Sequence, residues 1–167
     1  MTAPGPSIIV APMATSRPSI TLRPARPDDL PDLLAIEAAS FTGDRLSRRA
    51  LRRWLRVPYG RCLVAERAGA IVAYGLASLH RAGRVARIYS LAVAPGARGS
   101  GLGGRLLAAL ESTARERGYA VARLEVPATN APARALYRAA GYAERERLPG
   151  YYEGGGDGLR LEKRLDG

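Results

Sequence analysis

The sequence predicts a mixed α/β domain, a central sheet with helices packed on both faces. Three observations carry that expectation. Segments with the two-residue alternation of strands interleave with segments of helical spacing. Glycine, proline or asparagine punctuates most junctions between them. The 167 residues, 47% hydrophobic and 25% charged, also have the size and composition of one globular domain.

Residues 1–19 carry four prolines among Ala, Ser and Thr without periodicity, so they read as a flexible N-terminal tail, with Met13 a second candidate start. Ile8-Ile9-Val10 is too short for a signal-peptide core and follows no charged leader, so export is not expected and the cytoplasm is the default compartment. The domain is expected over 20–167. It opens on the alternating strand Ile20-Thr21-Leu22-Arg23, after which Asp28 starts a helix with Leu30, Leu33, Leu34 and Ile36 on one face. A second helix is expected from Ser47 to Arg56, with Leu51, Trp54 and Leu55 inward and arginines outward. Arg61–Arg67 and Ala70–Leu79 form a hairpin turning at Ala68-Gly69, and a third strand runs from Val85 to Val93. A glycine-rich loop leads to a helix from Leu102 to Arg117, closed by Gly118. A strand over Tyr119–Val126, a helix capped by Asn130 and closed by Gly141, and strands at Tyr142–Arg147 and Leu159–Leu165 complete the chain.

Composition excludes several chemistries. Cys62 is the only cysteine and His80 the only histidine, which removes an intramolecular disulfide, a cysteine-based metal site and any Ser-His-Asp or Cys-His catalysis within one chain. No metal is expected. No apolar run reaches the roughly 18–20 residues of a membrane-spanning helix, so no membrane partner is expected. The net charge is +11, every basic residue except Lys163 is arginine, and from Arg45 to Leu110 thirteen arginines face one carboxylate, Glu66. Arginine suits phosphate and carboxylate partners. The field would suit an RNA-binding module without catalysis, but the basic stretch holds a single ring, Trp54, where stacking surfaces would be interleaved. Nucleic-acid contact is therefore not expected.

The most informative stretch is Arg98-Gly99-Ser100-Gly101-Leu102-Gly103-Gly104-Arg105, between a strand and a helix. Glycines there let backbone N–H groups converge on an anion, and the helix N-terminus adds partial positive charge. Gly99, Gly101 and Gly104 satisfy the dinucleotide pattern G-x-G-x-x-G, and Glu125 lies near where a ribose-binding acid belongs. The context argues against a dehydrogenase: Ala94–Arg98 separates the strand from the glycines, and too little chain follows Glu125 for a doubly wound sheet. No Gly-Lys-Ser/Thr ends the loop, so it is not a P-loop.

The same loop reads as Arg98-x-x-Gly101-x-Gly103 behind Leu91-Ala92-Val93. In that form the chain resembles the GNAT superfamily of N-acetyltransferases, over roughly residues 20–165. Leu124–Asn130, Ala135-Leu136-Tyr137, Gly141-Tyr142 and Tyr151-Tyr152-x4-Asp157-Gly158 are similar to the branch that acetylates protein N-termini, including ribosomal-protein-alanine acetyltransferases. The resemblance implies the acyl-CoA N-acyltransferase fold, a mostly antiparallel sheet of about seven strands. It also implies acetyl-CoA as cofactor, CoA as product, and direct attack of a primary amine in a ternary complex.

The implied roles follow the chemistry. An amine attacking a thioester must lose a proton, and the departing thiolate gains from an acid. Glu125 is the implied base, with Arg123 on the same strand face to keep it ionised, and Tyr137 the implied acid. Leu91, Ala92 and Val93 would line the pantetheine arm, which Asn130 would also bond. Arg98, Gly99, Ser100, Gly101, Leu102, Gly103 and Gly104 would cradle the pyrophosphate. Arg105, Arg134 and Arg138 remain alternatives for the last phosphate. Phe41, Tyr151 and Tyr152 are candidate acceptor contacts. Structural readings exist beside these: a Glu–Arg pair, a buried tyrosine, an ordinary N-cap at Asn130. The implied acceptor is the N-terminal α-amine of a protein or peptide, such as a ribosomal protein, with lysine or a small amine as alternatives. The chain departs from that branch after the first helix, where Phe41-Thr42-Gly43-Asp44-Arg45-Leu46-Ser47-Arg48-Arg49 replaces a Phe-Pro-Trp-like stretch. Its arginines would favour acidic residues near the acceptor amine.

Overall fold

The computed structural model describes residues 18–80 and 84–166, so all but the last two residues of the expected tail lie outside it. The elements are β1 (Ile20–Pro24), α1 (Leu30–Ser40), α2 (Arg48–Trp54), β2 (Gly60–Arg67), β3 (Ala70–Ser78), β4 (Val85–Val93), α3 (Leu102–Glu116), β5 (Val121–Pro127), α4 (Ala131–Ala139), β6 (Ala143–Leu148) and β7 (Gly158–Arg164). The strands form one seven-stranded sheet in the order β1-β2-β3-β4-β5-β7-β6. Every neighbouring pair is antiparallel except β4 and β5. The expected mixed, mostly antiparallel sheet is observed.

Alternation along the strands divides the apolar residues between two faces. Leu63, Ala73, Ile88, Leu124 and Leu161 point to one face, where Leu102, Leu106, Leu107 and Leu110 of α3 and Tyr137 of α4 cover them. Cys62, Val64, Tyr74, Leu76 and Ala92 point to the other, under Leu30, Leu33 and Ile36 of α1 and Leu51 of α2. The β2–β3 hairpin turns at Ala68 (φ +52°) and Gly69 (φ +78°), the two positive-φ residues that match a tight turn to strand twist.

The boundaries shift where caps form. A 3-10 turn at Pro27–Asp29 precedes α1, because Asp29 rather than Asp28 is drawn inward. Its carboxylate accepts from the Arg26 N–H at 2.6 Å and from the Arg23 guanidinium at 2.8 and 2.9 Å. The basic helix is shorter than its periodicity suggests. Ser47 serves as its N-cap, accepting from the Ala50 N–H, and the helix ends at Trp54 before Pro58. Tyr119 does not start β5. Its N–H returns to the Ala114 carbonyl after Gly118, at φ +84°, turns the chain out of α3.

Gly60 sets how closely α2 can run into β2. A Cβ there would lie 2.6 Å from the Trp54 carbonyl oxygen and 3.0 Å from Val57. Backbone cannot yield as a side-chain tip does, so Gly60→Ala should destabilise the protein by about 1–3 kcal/mol. Gly96, whose added Cβ would meet nothing within 4 Å, serves as the control. Gly96→Ala should stay within about 0.5 kcal/mol of wild type. Urea unfolding of both variants measures the contrast.

Candidate active site

The parallel pair β4–β5 stops almost as soon as it begins. Only Val85, Ala86 and Arg87 register with Val121, Ala122 and Arg123. Beyond them β4 stays paired to β3 and β5 to β7, so the two strands diverge and a cleft of about 590 Å³ opens between them. In β4, Leu76 faces Ser90 while Ala77 faces Ile88, leaving Tyr89 as the extra residue of a bulge. Phe41, Thr42, Gly43, Asp44 and Leu46 between α1 and α2 wall the cleft, as do Tyr152, Glu153, Gly154, Gly156 and Asp157 between β6 and β7.

Glu125 lines this cleft with a side chain 9% exposed. Its Oε1 accepts from Arg87 Nη2 at 2.7 Å and from Arg160 Nε at 3.2 Å. Both bonds fall on Oε1, so Oε2 keeps its lone pairs for another donor. Arg123 does share the face of Glu125, but its guanidinium goes to Glu162 at 2.7 Å, its opposite residue on β7. The register explains the exchange: Arg160 stands directly across from Glu125, and Arg87 reaches over from the neighbouring strand.

Tyr137 and Asn130 both face the cleft from α4 and its N-terminus. Burial pushes the Tyr137 hydroxyl up to about 12, so it keeps its proton at neutral pH. Asn130 is an N-cap, its Oδ1 accepting from the Ala133 N–H at 3.2 Å.

The glycine loop has the geometry of an anion cradle. Gly99 and Gly101 adopt φ +78° and +77°, which only glycine tolerates without strain, and added Cβ atoms at Gly99, Gly101 and Gly104 would meet open space. Gly103 has a different reason, since its Cβ would come within 2.9 Å of Leu136. Arg98 ties the loop down, donating to the Val93 carbonyl at 3.0 Å, and Ser100 donates to the Ala97 carbonyl. Leu102, the first residue of α3, is buried against the sheet, so its side chain is core. Leu91 and Val93 pack toward α3 and Ala92 toward α1, while the β4 edge facing the cleft has no strand partner beyond Arg87. Among the phosphate alternatives, Arg134 is engaged with Glu144 at 2.8 Å and with the Ala128 carbonyl, whereas Arg105 and Arg138 are exposed.

Phe41 and Tyr152 line the cleft, but Tyr151 does not. Its ring is 47% exposed, stands edge-on to Tyr152 and packs beside Gly158. The sequence reading missed Arg87, Arg160 and Glu37. Glu37 is 2% exposed on the cleft wall of α1. It accepts from the Tyr74 hydroxyl at 2.9 and 3.0 Å, from the Leu46 N–H at 3.4 Å and from Ser90 Oγ at 3.5 Å. It stands at the spacing of Leu30, Leu33 and Leu34, and a carboxylate on an apolar stripe was the available signal. The described residues contain no group of three or more His, Cys, Asp or Glu that could hold a metal ion. Their helices include none long and apolar enough to cross a membrane.

Residues 30–142 match the acetyltransferase (GNAT) family. The chain belongs to that family. It is an acetyl-CoA-dependent N-acetyltransferase. Similar proteins include an IAA acetyltransferase of Azospirillum brasilense, 37% identical over 54% of this chain and 60% of that one. An uncharacterized N-acetyltransferase of Methanocaldococcus jannaschii is 36% identical over 81% of this acetyltransferase and 86% of its own length. Among solved structures, the ribosomal-protein-alanine N-acetyltransferase of Brucella melitensis aligns at TM-score 0.76 and 32% identity, covering 86% of this chain and 99% of that one.

Burial lifts the Glu37 carboxyl above its ordinary value of 4.5, outweighing the bonds from Tyr74, Leu46 and Ser90 that pull it down. The folded acetyltransferase therefore holds this proton to higher pH than the unfolded chain. Stability linked to Glu37 should be lost as pH rises from 4.5 through the raised folded value. Relative to Glu37→Gln, wild type should thus lose melting temperature across that window. Paired thermal melts measure it, and a difference independent of pH would remove Glu37 from the titration.

Proposed function

We propose that this enzyme acetylates the N-terminal α-amine of a protein or peptide. The observation that carries the reading is the cleft itself, an opening between β4 and β5 lined by Tyr137 and by Glu125, whose Oε2 has no donor among the described residues. Two loops wall its mouth, leaving room for an extended chain end. The similarity to the ribosomal-protein-alanine enzyme of Brucella melitensis supports the same acceptor class. So does the charge of the lining, whose described residues include Glu37, Asp44, Glu125, Glu153 and Asp157 and no lysine or arginine. An acceptor amine arrives as an ammonium ion, since an α-amino group titrates near pH 7.7–8.0. The α2 arginines lie outside this lining, so acidic residues beside the acceptor amine, expected from sequence, are not favoured by the cleft.

The cofactor's phosphates would rest on Gly99, Gly101 and the N-terminus of α3, with Arg105 or Arg138 on the remaining phosphate and its amide arm along the β4 edge. When bound, acetyl-CoA supplies the thioester carbonyl that the amine attacks. Glu125 Oε2 takes the proton the amine must lose. Arg87 and Arg160 hold that carboxylate in place through Oε1. Tyr137, protonated at neutral pH, gives its hydroxyl proton to the departing sulfur. Cys62 takes no part. Burial pushes its thiol up to about 12 on the α1 side of the core, consistent with direct transfer to the amine.

The test is CoA release with two matched peptides, one with a free N-terminus and no lysine, the other with a blocked N-terminus and one lysine. Release with the first alone is expected. Release with the second alone would move the enzyme to side-chain amines, and silence with both to small amines. On the active acceptor, Glu125→Gln and Tyr137→Phe should each lower kcat by about 100-fold or more. Acetyl-CoA affinity should change little. Wild-type rates across pH would take both residues out of the mechanism.

A further inference from the structure

The arginines of α2 have no acidic counterpart. Arg48, Arg49, Arg52 and Arg53 of the helix and Arg56 just after it are exposed, and none joins an ion pair closer than 4.0 Å among the described residues. No acidic residue occurs between Asp44 and Glu66 to neutralise them. Along the chain this stretch holds only Trp54, and a basic helix with one ring is an ordinary solvated face.

The fold supplies the rings the stretch lacks. Tyr89, the extra residue of the β4 bulge, lies against Trp54 with centroids 4.8 Å apart. Tyr59 meets Trp54 edge-on at 6.0 Å, and His80, just past β3, meets Tyr59 at 5.0 Å. The Arg87 guanidinium stands 5.4 Å from the Tyr89 ring. Four rings from separate elements thus make one strip, from Tyr89 at the cleft mouth to His80. Tyr89 is 48% exposed, His80 is exposed, and Trp54 and Tyr59 are half-buried, so the strip is not core.

We propose that this aromatic strip and the arginine face of α2 form a docking surface for single-stranded nucleic acid. Arginines neutralise phosphates and displace their counterions, while ring faces stack on bases of any sequence. An acidic peptide would engage the arginines but leave the rings unused, which is why nucleic acid fits the surface better. The surface is separate from amine acetylation and does not rest on the acceptor assignment. Because Tyr89 also lines the cleft, a docked strand would end beside the acceptor entrance.

The experiment uses the full chain and a labelled single strand of about 12 nucleotides, as RNA and as DNA, in fluorescence anisotropy across a salt series. Trp54 is the sole tryptophan, so its emission reports directly on the strip. The triple variant Arg49→Gln, Arg52→Gln, Arg53→Gln should weaken binding about tenfold and flatten the log–log salt slope by about 2. Arg26→Gln, Arg117→Gln, Arg145→Gln removes equal charge elsewhere and should change affinity far less. Tyr89→Leu should weaken binding with an unchanged slope. Single strands should quench Trp54 emission, whereas heparin, a polyanion without bases, should bind without quenching. Equal affinity for RNA and DNA, or a preference for either, agrees with the proposal and identifies the source. Equal losses from both triples would overturn it as general attraction to a basic protein. Identical effects of heparin and nucleic acid on Trp54 would overturn it in favour of an acidic protein partner, as would the absence of any binding at moderate salt.

Discussion

The fork between β4 and β5 is the constraint on which the site depends. Two strands that share three residue pairs cannot hold themselves apart, so their outer neighbours must do it. β3 pairs with β4 from Arg87 to Val93, and β7 pairs with β5 from Val121 to Pro127. Each arm is therefore rigid with its own half of the sheet. The cost is an inner edge of β4 with no strand partner beyond Arg87, and unpaired backbone groups are expensive wherever they are not solvated or liganded. Local rules of sheet building are broken where a ligand can satisfy them instead. The bulge at Tyr89 belongs to the same economy, because it turns consecutive residues of β4 toward α2 and α1: Tyr89 onto Trp54 and Ser90 onto Tyr74.

At the fork, charge is set by register. Glu125 and Arg160 are directly opposed, as are Arg123 and Glu162, so one face of β5–β7 is a lattice of alternating sign. A carboxylate as enclosed as Glu125 needs fixed donors, and two guanidiniums on one oxygen satisfy it while leaving the other oxygen uncommitted. Glu37, on the facing wall, is held by neutral donors instead and is raised by burial. Two carboxylates in one cleft thus have different partners, guanidiniums for Glu125 and neutral donors for Glu37.

The sequence showed local features well and cross-chain features poorly. Strand alternation, the turn at Ala68-Gly69, the glycine loop and the Asn130 cap are each decided within a few residues, and each stands where it was expected. The partner of Glu125 was not legible, because it is chosen by which residue of β7 lies opposite and how far β4 follows β5. Two-residue alternation made Arg123 the natural candidate, and only the register hands it to Glu162. Tyr151 was grouped with Tyr152 by adjacency, but the chain turns between β6 and β7, and only Tyr152 lines the cleft. The aromatic strip was hidden for the same reason: its four rings come from α2, the loop before β2, the segment just past β3 and the bulge of β4.

The molecule therefore separates its charge by location. Basic residues outnumber acidic ones 26 to 15, but the cleft is lined by carboxylates while the arginines of α2 remain outside it. Screening confines such fields to roughly 8 Å at physiological salt, so the two surfaces act on different parts of a bound molecule rather than cancelling. The cleft prefers a cationic amine. The helix and the rings beside it prefer an anionic, base-bearing strand, and Tyr89 belongs to both. An amine that reaches the cleft from a chain lying against a phosphate backbone would satisfy both at once. A free amine would satisfy only the first. The fold thus permits recognition of an acceptor by its surroundings as well as by the few residues that enter the cleft.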